Sequence, residues 1–585
     1  MNRSHRIPYL LVSLFTFASL ALAACAPAAT PAPTSAPAAT VAPTSAPAAT
    51  SAPAATSAPA ATNTAAPAAT EAPTTAPATA APTTGPASAA NTLTFDSNIS
   101  DLITVDPAVA YEYSGILVVH NVYQSLVTFV GSDLTTIKPA LADSWDTKDA
   151  GDHWELTFKL HPGNKFASGN PITADDVVYS YNRVVAINGS PAFLFTDVGG
   201  IVTDSVKAID PLTVQINLPK TASPGAFLAV LTNTIGGVVD SKVVKTHEAN
   251  GDHAATWLID HSAGSGPYVV DHWTKETEVL LKANPNYGGA KPVLDSILLK
   301  HVAESANQLT ELQKGDADVA ANLTAEQLAT LSGDATSTKG ADLRLFYLGM
   351  NVAMKPLDKV EVREALRMAI DYDGIIKDLL SGNAQKVQTI IPIPMFGANS
   401  NAPFQQDVAG AKALLQKAGV SGLSFEMLIP DGAAPGGVQW ADLGAKLKSD
   451  WDQIGVTVTI KQESFAELLK SYRAQKAVLA LLYWGPDFAD PDTNVTPFTS
   501  YKAHSIAWRN SWDDPIATKS AAAALMTDPT ARVAAYKEIT EYVLHNGPYA
   551  VLYQPAALFG IRTNIQGFAW NPMGFADFWS ISKTK

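Results

Sequence analysis

The amino-terminal tract from Ala26 to about Ala90 confines the fold of this 585-residue chain to the residues that follow it. The tract is built almost only of Ala, Pro, Thr and Ser, in repeats of the form TSAPAAT, and Glu71 is its single charged residue. Without aromatic side chains it cannot bury enough apolar surface to offset the entropy of ordering, and its prolines keep it extended. We predict a disordered stalk over residues 25–90 and folded domains over residues 91–585.

A short targeting segment precedes the stalk. Arg3 and Arg6 form a basic start, and the apolar run over residues 7–22 is too short and wrongly flanked for a stable membrane span. The run ends in LAAC, and Cys25 is the only cysteine, so it cannot form an intrachain disulfide. LAAC resembles the lipobox of bacterial lipoproteins. This implies a signal peptide over residues 1–24 and a lipid on Cys25 that anchors the chain to a lipid bilayer.

Charge and motifs exclude several classes of function. The formal net charge of −14 at pH 7 argues against nucleic acid or an anionic membrane surface as a partner. The sequence has no P-loop, no Rossmann fingerprint and no HExxH motif, and Ser265 has no evident base partner. We predict that the protein is not an enzyme and has no catalytic residues and no cofactor. A lipid-anchored secreted hydrolase is the alternative of another class.

The stretch from Lys138 to Arg183 carries the clearest structural pattern. His153 to Leu160 alternates between apolar and polar residues, as in a half-buried strand. Thr173-Ala-Asp-Asp176 has the form of a capping box at the start of a helix. Residues 205–218 are predicted to form a second hairpin, and residues 120–126 a helix.

The order of these residues closely resembles the signature segment of extracellular solute-binding proteins, family 5, which are the dipeptide- and oligopeptide-binding receptors of ABC importers. The segment ends in WELTFKLHPGNKFASGNPITADDVVYSYNR. Gly264 to Tyr268, and the block FYLGMNVAMKPLDKVEVREALRMAIDYDGII from Phe346 to Ile376, resemble further family motifs. The resemblance covers essentially all of residues 91–585.

The resemblance implies an α/β fold like that of periplasmic binding proteins. Two lobes, each around a mixed β-sheet, would be joined by a hinge, and an extra domain would make three structural subdomains. The expected division places the first lobe at residues 91–123, 264–345 and 545–585. The extra domain would occupy residues 124–263, and the other lobe residues 346–544.

The same resemblance implies a substrate-binding receptor of an ABC importer. It would be a monomer that captures a peptide or similar small polar solute between its lobes and delivers it to ABC permease and ATPase subunits. The acylated Cys25 would hold it at the outer face of the cytoplasmic membrane or at the cell surface, in the periplasm if an outer membrane exists. Alternative ligands on this scaffold are an oligosaccharide, nickel or another small cation, and a surface sensor or adhesin is a further alternative.

A binding site is expected in the loop WGPDFADPD, which starts at Trp484 after a buried strand. In peptide-binding members of the family, the Asp three residues after this Trp pairs with the α-ammonium group of the ligand, and Asp487 matches that position. An ionised carboxylate in a closing cleft suits a cation and is costly without one. The alternative role for Asp487 is to cap its loop. Asp490 and Asp492 lack the Gly and Glu of a calcium loop and are expected to shape the turn.

The resemblance also suggests further ligand-binding residues, and for each a packing role is the alternative. They are Trp484, Glu112, Tyr113, Trp508, Trp512, Tyr553 and Gln554, and Tyr111 is also expected near the cleft. Dipeptide binders of the family carry an Arg that binds the ligand carboxylate, and Ala434 occupies that position here. This loss favours longer peptides or another polar or cationic solute.

A metal site is not predicted from the histidines. His247, His253, His261 and His272 form the one local cluster, with spacings of 6, 8 and 11 residues. These spacings fit neither a helix face nor a common zinc pattern. Because nickel binding occurs in the family, the alternative stays open.

Overall fold

The computed structural model describes residues 91–584. The predicted signal peptide, Cys25 and the predicted stalk lie outside the described residues. Within these residues, no helix combines the length and the apolar character needed to cross a membrane. The predicted α/β class is confirmed, because strands and helices alternate through much of the chain.

The strands are numbered in chain order. They are β1 (Thr92–Ser97), β2 (Val127–Thr128), β3 (Lys138–Pro139), β4 (Ala142–Asp149), β5 (His153–Leu160), β6 (Val206–Asp210), β7 (Thr213–Pro219), β8 (Tyr268–Thr274), β9 (Glu278–Ala283), β10 (Ser296–His301), β11 (Val319–Ala320), β12 (Ala335–Ala341), β13 (Leu345–Met350), β14 (Ala384–Gln385), β15 (Ser424–Pro430), β16 (Thr457–Glu463), β17 (Leu479–Trp484), β18 (Tyr549–Arg562), β19 (Ile565–Gln566), β20 (Trp570–Asn571), β21 (Phe575–Ala576) and β22 (Ser582–Lys583).

The helices follow the same order. They are α1 (Tyr113–Val122), α2 (Ala174–Ile187), α3 (Pro224–Leu231), α4 (Ser241–Thr246), α5 (Ser305–Lys314), α6 (Ala325–Ala329), α7 (Val360–Ala369), α8 (Tyr372–Gly374), α9 (Val408–Lys417), α10 (Trp440–Asp452), α11 (Phe465–Arg473), α12 (Asp492–Thr499), α13 (Ile506–Arg509), α14 (Ile516–Ala524) and α15 (Pro529–Asn546). Short 3-10 turns lie at Ser190–Ala192, Thr234–Gly236, Trp257–Ile259, Tyr501–Ala503 and Phe578–Ser580, and π-helical turns at Leu194–Val198 and Ile375–Leu379.

A four-stranded antiparallel sheet, in the order β4, β5, β7 and β6, forms from the stretch that carries the clearest sequence pattern. The predicted strand and the predicted second hairpin are confirmed as β5 and as β6 with β7. The predicted capping box is also confirmed at the start of α2. Asp176 Oδ2 accepts hydrogen bonds from the Thr173 backbone N–H at 2.9 Å and from its hydroxyl at 2.8 Å.

A large mixed sheet of twelve strands organises the rest of the described residues. Its order is β16, β15, β17, β13, β18, β11, β1, β10, β9 and β8, with β12 and β14 also paired to β18. We call β1 and β8–β12 its N-half, and β13 and β15–β17 its C-half. The chain passes between the halves at two places, the linker 342–344 and strand β18.

Strand β18 belongs to both halves of the large sheet. Its first residues pair with β13, from Tyr549 opposite Gly349 to Tyr553 opposite Phe346. Its last seven residues, 556–562, pair with β12. The division predicted from sequence assigns all of residues 545–585 to one lobe, whereas the strand itself is shared. Long-range strand pairing of this kind leaves no local sequence signal.

The C-half is buried on both faces. Phe346 and Leu348 of β13 pack into one core with residues of α7 and α10, while Leu345 and Tyr347 pack into a second core with α12 and α15. All six residues of β13 are buried. A central strand covered on both faces explains its almost continuous apolar sequence.

Helix α1 begins and ends earlier than the sequence pattern indicates. The helix predicted over residues 120–126 is wrong in its limits, because α1 ends at Val122. The Gly266 backbone N–H donates to the Val122 carbonyl at 2.9 Å. A Cβ atom at Gly264 would lie 2.2 Å from the same oxygen. Glycine at positions 264 and 266 therefore lets this segment approach the backbone of Val122 closely, at the point where the helix ends.

Candidate functional site

A cavity of about 790 Å³ lies between the two halves of the large sheet. Its walls come from β1 and the loop after it, the start of α1, the linker 342–344, the loop between β17 and α12, and the middle of β18. This volume is within the usual range for a small-molecule site. Among the described residues that line it, four carry a charged side chain, namely Asp101, Asp342, Arg344 and Asp487.

Asp487 is held by contacts from across the cavity. The Tyr111 phenol donates a hydrogen bond to Asp487 Oδ1 at 2.5 Å, and Asn233 Nδ2 donates to the Asp487 carbonyl at 2.7 Å. On its own side, the Asp487 backbone N–H donates to Thr493 Oγ1 at 3.3 Å. The carboxylate thus has a fixed position on the cavity wall.

The electrostatic setting of Asp487 favours a bound cation. Burial raises the pKa of its carboxyl above the usual range, and the hydrogen bond from Tyr111 opposes this increase. Within residues 91–584, its side-chain partner is that neutral phenol rather than a Lys, Arg or His. An ionised carboxylate removed from water is stabilised when a positive group reaches it. The cavity therefore offers Asp487 as an anchor for a cationic group.

A buried ion pair fixes the loop that carries Asp487. Arg532 of α15 donates two hydrogen bonds to Asp490, from Nη1 to Oδ2 at 2.6 Å and from Nη2 to Oδ1 at 2.8 Å. Asp490 Oδ1 also accepts from the Asp492 backbone N–H at 2.9 Å. This agrees with the predicted turn-shaping role of the two acids. Arg532 was not predicted, since it lies about forty residues further along the chain, where no local pattern points to it.

Trp484 supports the same loop from behind. Its indole N–H donates to the Thr493 carbonyl at 3.2 Å, and its ring meets the Phe498 ring edge-on at 6.4 Å. The cavity wall at this point is formed by the next residues, Gly485, Pro486 and Asp487. The structure thus places Trp484 beside the site and assigns it a packing contact.

The start of α1 brings one of its two predicted residues into the cavity. Tyr113 lines it and remains 61% exposed. Glu112 precedes the helix, and its Oε2 accepts from the Tyr111 backbone N–H at 3.2 Å. The residue that contacts Asp487 is Tyr111, which the family resemblance also places near the cleft; its contact with Asp487 was not predicted.

The predicted tryptophans of the 508–512 region do not reach the cavity. The Trp508 indole N–H donates to the Arg473 carbonyl at 3.3 Å, and its ring packs against Tyr501 at 4.7 Å. Trp512 is buried and meets the Tyr549 ring edge-on at 5.9 Å. The expectation that both line the cleft is therefore corrected, because neither is among the residues that line the cavity and each packs against another aromatic ring.

Tyr553 and Gln554 also lie behind the cavity wall. Tyr553 is fully buried, and its ring stacks on Phe346 with centroids 4.6 Å apart. Gln554 Nε2 donates to the carbonyls of Asp342 at 2.7 Å and Ile393 at 2.5 Å. The residues of β18 that line the cavity are the later ones, from Ala556 to Phe559. Gln554 therefore supports the linker 342–344 rather than facing a ligand.

The loop where the family resemblance places an Arg contains neither Arg nor Lys in this chain. Ala434 is buried in the core of the C-half. Gly436 and Gly437 line the cavity from this loop, and a Cβ at Gly437 would meet no atom within 4 Å. The one cation on the cavity wall within the described residues is Arg344, which sequence reasoning missed.

The histidines of the 247–272 region are spread over separate contacts. The rings of His247 and His261 both stack on the Trp257 indole, with centroid distances of 4.0 and 4.9 Å. His253 pairs with Glu248 at 3.4 Å, and His272 with Glu278 at 3.2 Å. In the part of the chain that the structure describes, no group of three or more His, Cys, Asp or Glu side chains is arranged to hold a metal ion.

Comparison with known proteins identifies one family. Residues 136–505 match the family model described as bacterial extracellular solute-binding proteins, family 5 middle. The probable D,D-dipeptide-binding periplasmic protein DdpA of Escherichia coli (strain K12) is 30% identical over 482 residues, covering 81% of this chain and 90% of that protein. The dipeptide-binding protein of the same organism is 26% identical over 480 residues, covering 79% and 88%.

The fold is shared with solved structures. The structure of HbpA2 from Haemophilus parasuis aligns with a TM-score of 0.76 and 23% sequence identity. The alignment covers 85% of this chain and 100% of that chain.

Proposed function

The chain belongs to family 5 of the bacterial extracellular solute-binding proteins, and we propose on that premise that it captures a peptide in the cavity between its sheet halves and delivers it to an ABC importer. The two relatives described above bear dipeptide-binding names, which supports a peptide as the ligand. The importer's permease and ATPase subunits would be its partners.

The observation that carries this proposal is the buried Asp487 carboxylate, which has a phenol but no cation beside it among the described residues. The α-ammonium group of a peptide supplies a positive charge with three hydrogen-bond donors. It would therefore offset the cost of burying Asp487 and make charge-assisted hydrogen bonds. The 790 Å³ cavity has room for the rest of a short peptide.

Capture would be coupled to closure of the cleft. The linker 342–344 and strand β18 join the two sheet halves, and the residues around Asp487 contact Tyr111 and Asn233 across the cavity. A ligand that touches both walls stabilises the closed arrangement in proportion to its preference for that arrangement. The closed surface would then be presented to the permease.

The remaining expectations about the whole chain are part of this proposal. A signal peptide over residues 1–24 would direct export, and a lipid on Cys25 would hold a monomer to the outer face of the membrane. Residues 25–90 would act as a stalk. The division into two lobes and an extra domain is proposed in the same way, with strand β18 shared between the lobes.

Thermal unfolding of the purified protein with a panel of ligands tests the ligand class. The panel contains di- and tripeptides, oligosaccharides and Ni²⁺, and each is measured with the wild type, Asp487→Ala and Asp378→Ala. Asp378 is exposed and serves as the matched control. A ligand in hundredfold excess over its Kd stabilises the folded state by about 2.7 kcal/mol.

We expect peptides to raise the unfolding temperature of the wild type and of Asp378→Ala, and not that of Asp487→Ala. Stabilisation by a sugar or by Ni²⁺ that is equal in all three proteins would reject both the peptide and the assigned anchor. Mass spectrometry of the same peptide mixtures distinguishes the receptor from the hydrolase alternative. We expect the peptides to remain uncleaved in the absence of ATP.

A further inference from the structure

Within the described residues, the cavity wall carries one cationic side chain. Among the lining residues within the described part of the chain, Arg344 is the only Lys, Arg or His. The acidic lining residues are Asp101, Asp342 and Asp487. Arg344 lies in the linker 342–344 that joins the two sheet halves.

Asp342 holds the Arg344 side chain from one edge. Arg344 Nε donates to Asp342 Oδ1 at 2.9 Å and to Oδ2 at 2.8 Å, and Nη2 also contacts Oδ2. The Arg344 backbone N–H donates to the same carboxylate at 2.9 Å. Within residues 91–584, Nη1 forms no hydrogen bond and is not among the buried polar atoms that lack a partner. Its two N–H groups therefore remain available to the cavity.

The stem of Arg344 lies beside the loop that carries Asp487. Arg344 Cγ is 3.2 Å from the position that a Cβ atom of Gly485 would occupy. Gly485 is two residues before Asp487. Arg344, Gly485 and Asp487 all line the same cavity. The absence of a side chain at 485 lets the arginine approach. Tyr113 also lies on the wall. Burial raises the pKa of its phenol, and the charge of Arg344 opposes this increase while that of Asp487 adds to it.

The loop expected to supply an anion-binding arginine cannot do so. Ala434 is buried, and the residues of that loop on the cavity wall are Gly436 and Gly437. A peptide with a free carboxyl terminus would otherwise bring its negative charge into a cavity that is already acidic. Arginine is suited to such a group because its planar fork can make two parallel hydrogen bonds to a carboxylate.

We propose that Arg344 binds the carboxylate of the captured peptide, with Asp342 positioning its guanidinium. The inference rests on the proposed function and names the second half of the same site. The amine of the ligand lies at Asp487 and its carboxylate at Arg344, so that the site selects a short zwitterionic peptide. Because Arg344 lies in the linker between the halves, the carboxylate contact also ties the ligand to the segment about which the cleft closes.

Calorimetric titration with paired probes tests this assignment. The probes are Ala-Ala, Lys-Ala and Ala-Ala-Ala, each as the free acid and as the carboxyl-terminal amide. They are titrated into the wild type, Arg344→Gln and Arg473→Gln, where the exposed Arg473 provides the matched loss of a positive charge. We expect the wild type and Arg473→Gln to prefer the free acid by about tenfold or more, the usual effect of a charge-assisted pair. Arg344→Gln should bring that ratio close to one.

Each other outcome rejects the assignment in a distinct way. Equal affinity of the wild type for acid and amide overturns it without any variant, and so does an acid preference that survives in Arg344→Gln. Peptide binding that depends on Asp487 would stand in both cases, so the proposed function would survive. Binding of no peptide at all rejects the proposed function and the inference together. If Arg344→Gln does not fold, Arg344→Met is titrated in its place, and an acid preference that survives in that variant overturns the assignment.

Discussion

Tyr111 and Asp487 come from opposite walls of the cavity, and the Tyr111 phenol donates a 2.5 Å hydrogen bond to Asp487 Oδ1. One residue precedes α1 and the other follows β17, so they are 376 positions apart in the sequence. Their contact closes the cavity where the amine of a ligand would lie. It also fixes the carboxylate in position before a ligand arrives.

Tyr111→Phe is expected to open the ligand-free protein. The change removes a hydrogen bond to a carboxylate that joins the two walls, worth about 1.5–3 kcal/mol. Small-angle X-ray scattering would record a larger radius of gyration than for the wild type, and an excess of bound peptide would restore the wild-type value. Equal radii for the two ligand-free proteins would contradict a closing role for this contact.

Loss of Arg532 is expected to destabilise the loop that carries Asp487. Arg532→Leu leaves Asp490 as a buried charge without its partner, and such changes cost about 3–5 kcal/mol. The double variant Asp490→Asn with Arg532→Leu removes both charges and should recover part of that loss. Urea unfolding would measure both, and a single variant as stable as the wild type would show that the ion pair contributes nothing.

The buried Asp96 carboxyl predicts a pH dependence of stability. Burial raises its pKa from 3.8 to about 8, with the charge of Glu311 and of Asp318 adding to the increase and that of Lys300 opposing it. The folded state keeps a proton that the unfolded chain releases, so the free energy of unfolding should fall as pH rises from about 4 to about 8. The slope of this group approaches about 1.4 kcal/mol per pH unit.

Asp96→Asn should remove that slope, since the amide keeps the shape of the protonated acid and does not titrate. Urea unfolding of the wild type, Asp96→Asn and the exposed control Asp378→Asn at several pH values would check it. An unchanged pH profile in Asp96→Asn would mean that other groups cause the dependence.

Gly264 should tolerate no side chain. A Cβ atom there would lie 2.2 Å from the Val122 carbonyl oxygen, and the two backbones would have to separate. We expect Gly264→Ala to lose about 1–3 kcal/mol of stability, as overpacked sites do. Ser265→Ala is the matched neighbour, because the buried Ser265 hydroxyl has no partner among the described residues. Its stability should stay near that of the wild type, and a similar loss in both variants would argue against the backbone contact.

Local patterns in the sequence are sufficient to predict the elements around β5 and α2. The alternation over residues 153–160 and the Thr173–Asp176 cap act within one turn or one strand, and both are present in the structure. Asp487 was predicted instead from the resemblance to the family, and the structure has it in a loop on the cavity wall.

Long-range contacts explain what the sequence did not indicate. Tyr553 is in a strand shared by both sheet halves, where the strand pairing turns its ring into the core. Arg344 carries no motif, and its only local sign is an Asp two residues earlier. Tyr111 acquires its role from a partner 376 positions away. Such pairings depend on how the chain closes, which one-dimensional periodicity does not describe.

The central claim is that Asp487 binds the ammonium group of a peptide, and blocking that group tests it most directly. Calorimetric titration would compare Ala-Ala-Ala with its N-acetylated form, in the wild type and in Asp487→Asn. We predict that acetylation weakens binding to the wild type by about a hundredfold, since it leaves a buried charge unpaired. It should have little further effect in Asp487→Asn. If the wild type binds the acetylated peptide as tightly as the free one, Asp487 is not the amine anchor.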